Sequence, residues 1–214
     1  VETDRNVGRM LDLLDELGIS EDTIVMYSTD NGAEEMSWPD GGTTPFRGEK
    51  ATTFEGGFRV PCLFRWPGTI EPGTINNEIG AHEDCMPTFL AAAGEPNVVE
   101  ELKKGKKVGK STYKVHLDGF DLGPHWRGDA EQSPRESFFY WTDDGQLGAL
   151  RYGNWKVHFM EQRGHGIEVW QEPYVTLRAP KLMNVRTDPF EVADLHSELY
   201  GEWRMRRMYA MVPA

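Results

Sequence analysis

The first 28 residues constrain the fold most tightly, because they run an amphipathic helix directly into a short apolar strand. Val7, Met10, Leu11, Leu13, Leu14 and Leu17 recur at three- and four-residue spacing and Gly18 follows, which predicts one apolar helix face closed by a glycine. Residues 23–28 are short, apolar and β-branched at their start, the composition of a strand buried on both faces of a mostly parallel sheet. Helix followed by buried strand is an α/β pattern. Val1 lies only a few residues from helix interior, which reads as a piece cut from a longer protein.

Further along, residues 30–57 are rich in Gly, Thr, Pro, Asp and Glu, too polar for a core and too long for an ordinary turn. Residues 60–66 read as a second buried strand bounded by Pro67-Gly68, and residues 84–93 as a helix ending at Gly94. The basic run 103–110 reads as a solvated loop. After about Ser133 come aromatic-rich segments at 137–142, 146–151 and 155–159, separated by turn residues, which predict an antiparallel meander. A strand near 181–185 and a helix over 198–211 complete a small α+β unit. Residues 1–132 are therefore assigned to an α/β domain and residues 133–214 to a smaller unit.

Carboxylates outnumber Lys and Arg by 35 to 23, a formal net charge of −12, which argues against nucleic acid as a partner. An anionic substrate must then be held by a few local cations or a metal. No apolar run approaches the ~20 residues that span a bilayer, so no membrane association is expected. Cys62 and Cys85 are too few for a disulfide scaffold or a four-cysteine zinc site; each lies in an apolar stretch and reads as a buried free thiol.

Asp30-Asn31-Gly32 directly follows the first strand, at the carboxyl edge where open α/β sheets bind ligands. A carboxylate beside an amide oxygen suits Ca²⁺ or another hard divalent cation, although Asn-Gly is also a common turn dipeptide and two ligands do not make a site. Lys50, twenty residues later, can present a point charge to a sulfate or phosphate oxygen; an exposed loop lysine is the plain alternative.

Three strings together carry a family resemblance: Ser28-Thr29-Asp30-Asn31-Gly32, then Trp38-Pro39-Asp40-Gly41-Gly42-Thr43-Thr44-Pro45-Phe46-Arg47-Gly48-Glu49-Lys50, then Glu55-Gly56-Gly57-Phe58-Arg59-Val60-Pro61. In order and spacing they resemble the second half of the catalytic domain of type I sulfatases, especially bacterial arylsulfatases, and further matches reach Asp188-Pro189. The resemblance implies an alkaline-phosphatase-like fold, with Asp30 and Asn31 as late calcium ligands and Lys50 as the lysine that contacts sulfate. It also implies a formylglycine nucleophile, made from a C-x-P-S/A-R motif, and early Asp-Asp calcium ligands, none of which is among these residues. Cleavage of small-molecule sulfate esters is thus the expected chemistry of the whole protein, with no turnover by this chain alone. A phosphate or phosphonate ester hydrolase of the same framework and a non-catalytic binding module are the alternatives. Export to the periplasm or medium is what the resemblance implies for bacterial members.

Cys85-Met86-Pro87-Thr88-Phe89 imitates the nucleophile motif but places Phe89 where Arg is required, so it reads as part of a structural helix. The six histidines show no metal-ligand spacing and read mostly as surface or packing residues. Tyr140, Trp141, Trp155 and Trp170 read as core of the second unit. If central strands are supplied from outside this chain, its own strands are left as open edges, and self-association is expected.

Overall fold

Gly18 ends the first helix as the sequence predicts. At φ +67° it lets its own N–H donate to the Asp15 carbonyl at 3.0 Å and the Ile19 N–H to the Leu14 carbonyl at 3.1 Å, a Schellman closure of the helix's last carbonyls. The computed structural model describes residues 2–211. In chain order its elements are α1 (Glu2–Glu16), β1 (Val25–Ser28), α2 (Glu55–Phe58), β2 (Cys62–Arg65), α3 (Cys85–Ala92), α4 (Val98–Lys104), β3 (Lys106–Val108), β4 (Ser111–Tyr113), α5 (Gly123–Trp126), β5 (Ser137–Trp141), β6 (Leu147–Tyr152), β7 (Trp155–Glu161), β8 (Val175–Asn184), α6 (Ala193–His196) and α7 (Tyr200–Met205). None of the described helices is long and apolar enough to cross a membrane.

The chain forms two compact units that are interleaved in sequence: residues 2–27 with Cys62–Arg135, and Ser28–Pro61 with residues 136–211. In the first unit β1 and β2 pair as a two-stranded sheet. Two strands cannot cover their own faces, so the expectation of strands buried on both sides is corrected: Leu63 is 59% exposed and β1 is half-buried. For the same reason the cysteines are not buried, Cys62 being exposed and Cys85 half-buried. Burial still raises the Cys85 thiol pKa, and neighbouring Cys62 and Asp84 push it the same way. Helix α1 buries none of its residues completely and leaves Met10 and Leu13 exposed, as is Leu17 just after its end. The basic run is the end of α4 and the first half of a hairpin rather than a loop: Lys106 pairs with Tyr113 and Val108 with Ser111, and Gly109 turns the chain at φ +60°.

Asp84 is the polar centre of this unit. Fully buried, its carboxylate accepts from the Ala81 N–H and the Phe120 N–H, each at 2.8 Å, and from the Arg135 guanidinium in a two-point pair at 2.7 Å. Thr88 donates to the Asp84 carbonyl and accepts from the Leu122 N–H, which fixes the start of α3. Cys85 is therefore one turn of a structural helix, in agreement with the sequence.

The second unit is built on the antiparallel meander β5-β6-β7-β8. The expected strand at 181–185 is the end of a longer β8, and the expected long terminal helix is α7 followed by a short 3₁₀ turn, Met208–Met211. The two faces differ sharply. Trp155, Val157 and Leu182 lie on one, against which α7 sets Trp203, 6.0 Å from Trp155 between ring centroids, and Tyr200, whose hydroxyl is held between the N–H and C=O of Leu182. On the other, Tyr140, Ala149, Lys156, His158 and Met183 are all buried. This face lies beneath residues 46–58, including α2, whose Phe58 meets Phe138 and Tyr140 edge-on. Trp141 and Trp170 are half-exposed, which corrects their assignment to the core; Tyr140 is the aromatic of that set that is buried.

Candidate functional site

Asp30 and Asn31 stand immediately beyond β1. The Asp30 carboxylate is exposed and has no hydrogen-bond or ion-pair partner among the described residues. Half-buried Asn31 donates its amide to the Gly32 carbonyl at 2.8 Å, which leaves its side-chain oxygen as an acceptor. The next residues tie this corner to the Lys50 loop: the Gly32 N–H donates to the Gly57 carbonyl at 2.9 Å and the Lys50 N–H to the Ala33 carbonyl at 3.1 Å. Gly32 has to be glycine here, because a Cβ would run into the Gly56 carbonyl. The structure thus brings the backbone of Lys50 beside the segment that begins at Asp30.

Lys50 sits at the apex of a tight turn in which the Thr52 N–H reaches the Glu49 carbonyl at 3.0 Å. Its follower, Ala51, has φ +64°, a left-handed value that costs a non-glycine residue roughly 1 kcal/mol. The turn is held nonetheless, from one side by Tyr174, whose hydroxyl donates to the Ala51 carbonyl at 2.8 Å, and from the other by Thr52, whose hydroxyl donates to the Glu49 carbonyl at 2.7 Å. Strain kept at the residue next to a candidate charge is the arrangement expected of a positioned group rather than a free loop lysine. The Lys50 ammonium lies 3.4 Å from a Glu34 carboxylate oxygen and 5.2 Å from the centroid of the Trp170 ring.

A buried charge network fastens this loop to the sheet. Lys156 Nζ lies 3.0 Å from Glu55 and 3.1 Å from Glu191; Tyr140 donates its hydroxyl to Glu55 at 2.9 Å, and His158 Nε2 is 2.7 Å from Glu191. Glu191 Oε2 in turn accepts the Glu55 N–H at 2.6 Å. Burial disfavours the ionised form of Glu191, but Lys156, His158 and the Glu55 N–H outweigh it and hold the carboxyl at about 2. Glu55 is lowered likewise, burial being overcome by Lys156. Burial also opposes the charge on Lys156, yet Tyr140, Glu191 and Glu55 raise it; burial keeps His158 neutral by lowering its pKa. Glu191 itself takes φ +53°, and Arg47 clamps it by donating to its carbonyl at 2.8 Å while pairing with Asp194 and Glu161. None of these roles was visible in the sequence, because the network joins residues up to 147 positions apart.

Buried Glu49 joins two short 3₁₀ turns beside Lys50. Its carboxylate accepts the Glu35 N–H from Glu35–Ser37 and the Gly166 N–H from Gly166–Trp170, each at 2.8 Å. Glu35, Glu49 and His165 bring one ligand atom each within 4.8 Å of one another, so a histidine with no sequence motif does lie in a cluster of possible metal ligands. Asp30 and Asn31 are not members of that cluster.

Comparison with known proteins finds family matches over two segments of the chain. Residues 1–95 match the sulfatase family model, and residues 133–210 match the model for the C-terminal region of aryl-sulfatase. Human arylsulfatase A is 38% identical over 213 residues, covering 94% of this chain and 39% of the relative; N-acetylgalactosamine-6-sulfatase from Rattus norvegicus is 45% identical over 160 residues, covering 73% and 27%. Among solved structures, the PsFucS1 sulfatase from Pseudoalteromonas sp. superposes with a TM-score of 0.74 at 28% identity, covering 99% of this chain and 42% of that one. The chain therefore spans well under half the length of these relatives.

Proposed function

This chain belongs to the sulfatase family, with an alkaline-phosphatase-like fold, and on that premise we propose that it forms the C-terminal part of a sulfuric ester hydrolase acting on small-molecule sulfate esters. The observation that carries the reading is Lys50, held at the apex of a strained turn whose backbone is hydrogen-bonded to the segment that begins at Asp30. An ammonium in that position can bind a sulfate oxygen and offset the charge that grows on the group as the ester bond breaks. To do so it exchanges or shares its present partner, Glu34, with the sulfate.

The oxygens of Asp30 and Asn31 fit a calcium ion, a hard cation that takes six to eight oxygen ligands, as part of a set completed outside these residues. Bound there, calcium would neutralise charge on the sulfate oxygens, while a formylglycine supplied from outside this chain would be the nucleophile. The work of this chain is to hold Lys50 and present two metal ligands. On its own it is expected to show no turnover.

The test joins the upstream coding sequence to this chain and measures the full-length protein on matched sulfate and phosphate esters. Sulfate esters should turn over faster, and Lys50→Ala should lower kcat/KM by about 10- to 100-fold, the worth of one charge-assisted contact. A preference for phosphate esters, or an unaffected Lys50→Ala variant, would sink the assignment.

A further inference from the structure

Five acidic residues are buried among the described residues, and four of them face a lysine or an arginine. Glu55 and Glu191 share Lys156, Glu161 pairs with Arg47 and Lys181, and Asp84 pairs with Arg135. Glu49 is the exception. Only 1% exposed, it has no lysine or arginine in ion-pair contact, and its carboxylate meets two neutral donors instead, the Glu35 and Gly166 N–H groups at 2.8 Å. The ammonium of its own neighbour, Lys50, pairs with Glu34. A buried carboxylate calls for opposite charge as well as hydrogen bonds, and where no basic side chain supplies that charge a metal ion can.

The cluster around Glu49 has the donors for one. Glu35, Glu49 and His165 each bring a ligand atom within 4.8 Å of the others, and Glu35 Oε2 and His165 Nδ1 are 4.0 Å apart. Each Glu49 oxygen accepts one N–H and so keeps a lone pair. The Glu35 and His165 side chains are exposed and have no other hydrogen-bond or ion-pair partner among the described residues. Ligand atoms around a four-coordinate zinc ion stand about 3.3 Å apart, so these two free side chains need to close by no more than about 1.5 Å onto the fixed Glu49. An imidazole with two carboxylates suits zinc, whereas calcium takes oxygen ligands.

We propose that Glu35, Glu49 and His165 bind a zinc ion, with water completing its coordination and neither Asp30 nor Asn31 among its ligands. The site stands on these three side chains and not on the sulfate-ester reading. Zinc there supplies the charge that Glu49 lacks. It also ties together the two 3₁₀ turns that carry the neighbours of the Lys50 ammonium, Glu34 just before Glu35–Ser37 and Trp170 at the end of Gly166–Trp170.

The experiment titrates zinc into the full-length protein, stripped of metal by a chelator and then held in saturating calcium, and follows the heat of binding by calorimetry. The wild type should bind zinc with micromolar or tighter affinity. Glu35→Gln and His165→Ala should each weaken that binding by at least about 10-fold, the lower end of what is lost when even a group that supports a zinc ligand is removed. His196→Ala, at an exposed histidine of α6, should leave it unchanged. Both ligand variants change exposed side chains, so the fold is kept. Thermal melts give a second readout: saturating zinc should raise the Tm of the wild type and not that of His165→Ala. A wild type that binds no zinc under these conditions overturns the site. So does binding that is equal in the wild type and the two ligand variants, or a loss in His196→Ala as large as in His165→Ala.

Discussion

Replacing Lys156 by methionine tests whether the second unit depends on its buried charges. The lysine is fully buried and its ammonium stands between the Glu55 and Glu191 carboxylates at 3.0 and 3.1 Å. Methionine fills nearly the same volume, so packing is largely kept while the charge is lost. Two buried carboxylates are then left facing each other, with Arg151 the nearest remaining cation at 3.6 Å from Glu55. Breaking a buried pair in this way costs about 3–5 kcal/mol. The pH dependence gives an independent check. Glu191 has its folded-state pKa depressed from 4.5 to about 2, so it contributes stability that is present above pH 4.5 and lost as the pH falls towards 2. By linkage that contribution is roughly 3 kcal/mol in the wild type. His158, held neutral, acts in the same direction below its ordinary pKa. In Lys156→Met the depression of Glu191 disappears, and acid should relieve rather than aggravate the defect. The assay is urea unfolding at pH 7 and at pH 4, with hydrogen exchange of the β7 amides to place the loss in the second unit. Adding Glu191→Gln to Lys156→Met should recover part of the stability. A Lys156→Met chain within about 1 kcal/mol of wild type at pH 7, where a broken buried pair should cost several times that, would refute this account.

Three further outcomes follow from the geometry. Ala51→Gly removes the penalty at φ +64° and should stabilise the chain by about 1 kcal/mol in the same unfolding assay, at the cost of a less firmly held Lys50. Arg135→Met in the first unit leaves the fully buried Asp84 without its two-point partner and should lower stability by about 3–5 kcal/mol, whereas Arg127→Met, whose pair with Asp129 is exposed, should change it by less than about 1 kcal/mol; thermal melts of the two variants make the comparison. The exposed Met10 and Leu13 of α1 and Leu17 just after it, together with the two-stranded sheet that leaves Leu63 exposed, should make the purified chain self-associate, so light scattering should give a mass above that of one chain.

Local rules made much of the fold readable. The spacing of apolar residues and Gly18 located α1 and its end; turn residues separated β5, β6 and β7; and the Phe89 mismatch kept Cys85 in a structural helix. Each of those features depends on neighbours a few positions away. The candidate site was legible only through the order and spacing of three strings, since Asp30-Asn31-Gly32 and a loop lysine taken singly are ordinary. Where the reading failed, burial decided the matter. Cys62 and Leu63 lie in an apolar run, yet a two-stranded sheet leaves them exposed.

What the sequence determined by itself was therefore the local elements and the family pattern from which Asp30, Asn31 and Lys50 are proposed as site residues. What only the tertiary structure decided was where the charges go. In Trp155-Lys156-Val157-His158 the alternation has the form of a strand with one wet face, but residues 46–58 cover that face. The partners that make burial possible are Glu55, 101 positions from Lys156, and Glu191, 33 positions from His158. A charge enters a core only when opposite charge and hydrogen bonds meet it there, and no local pattern records which distant residue will do so.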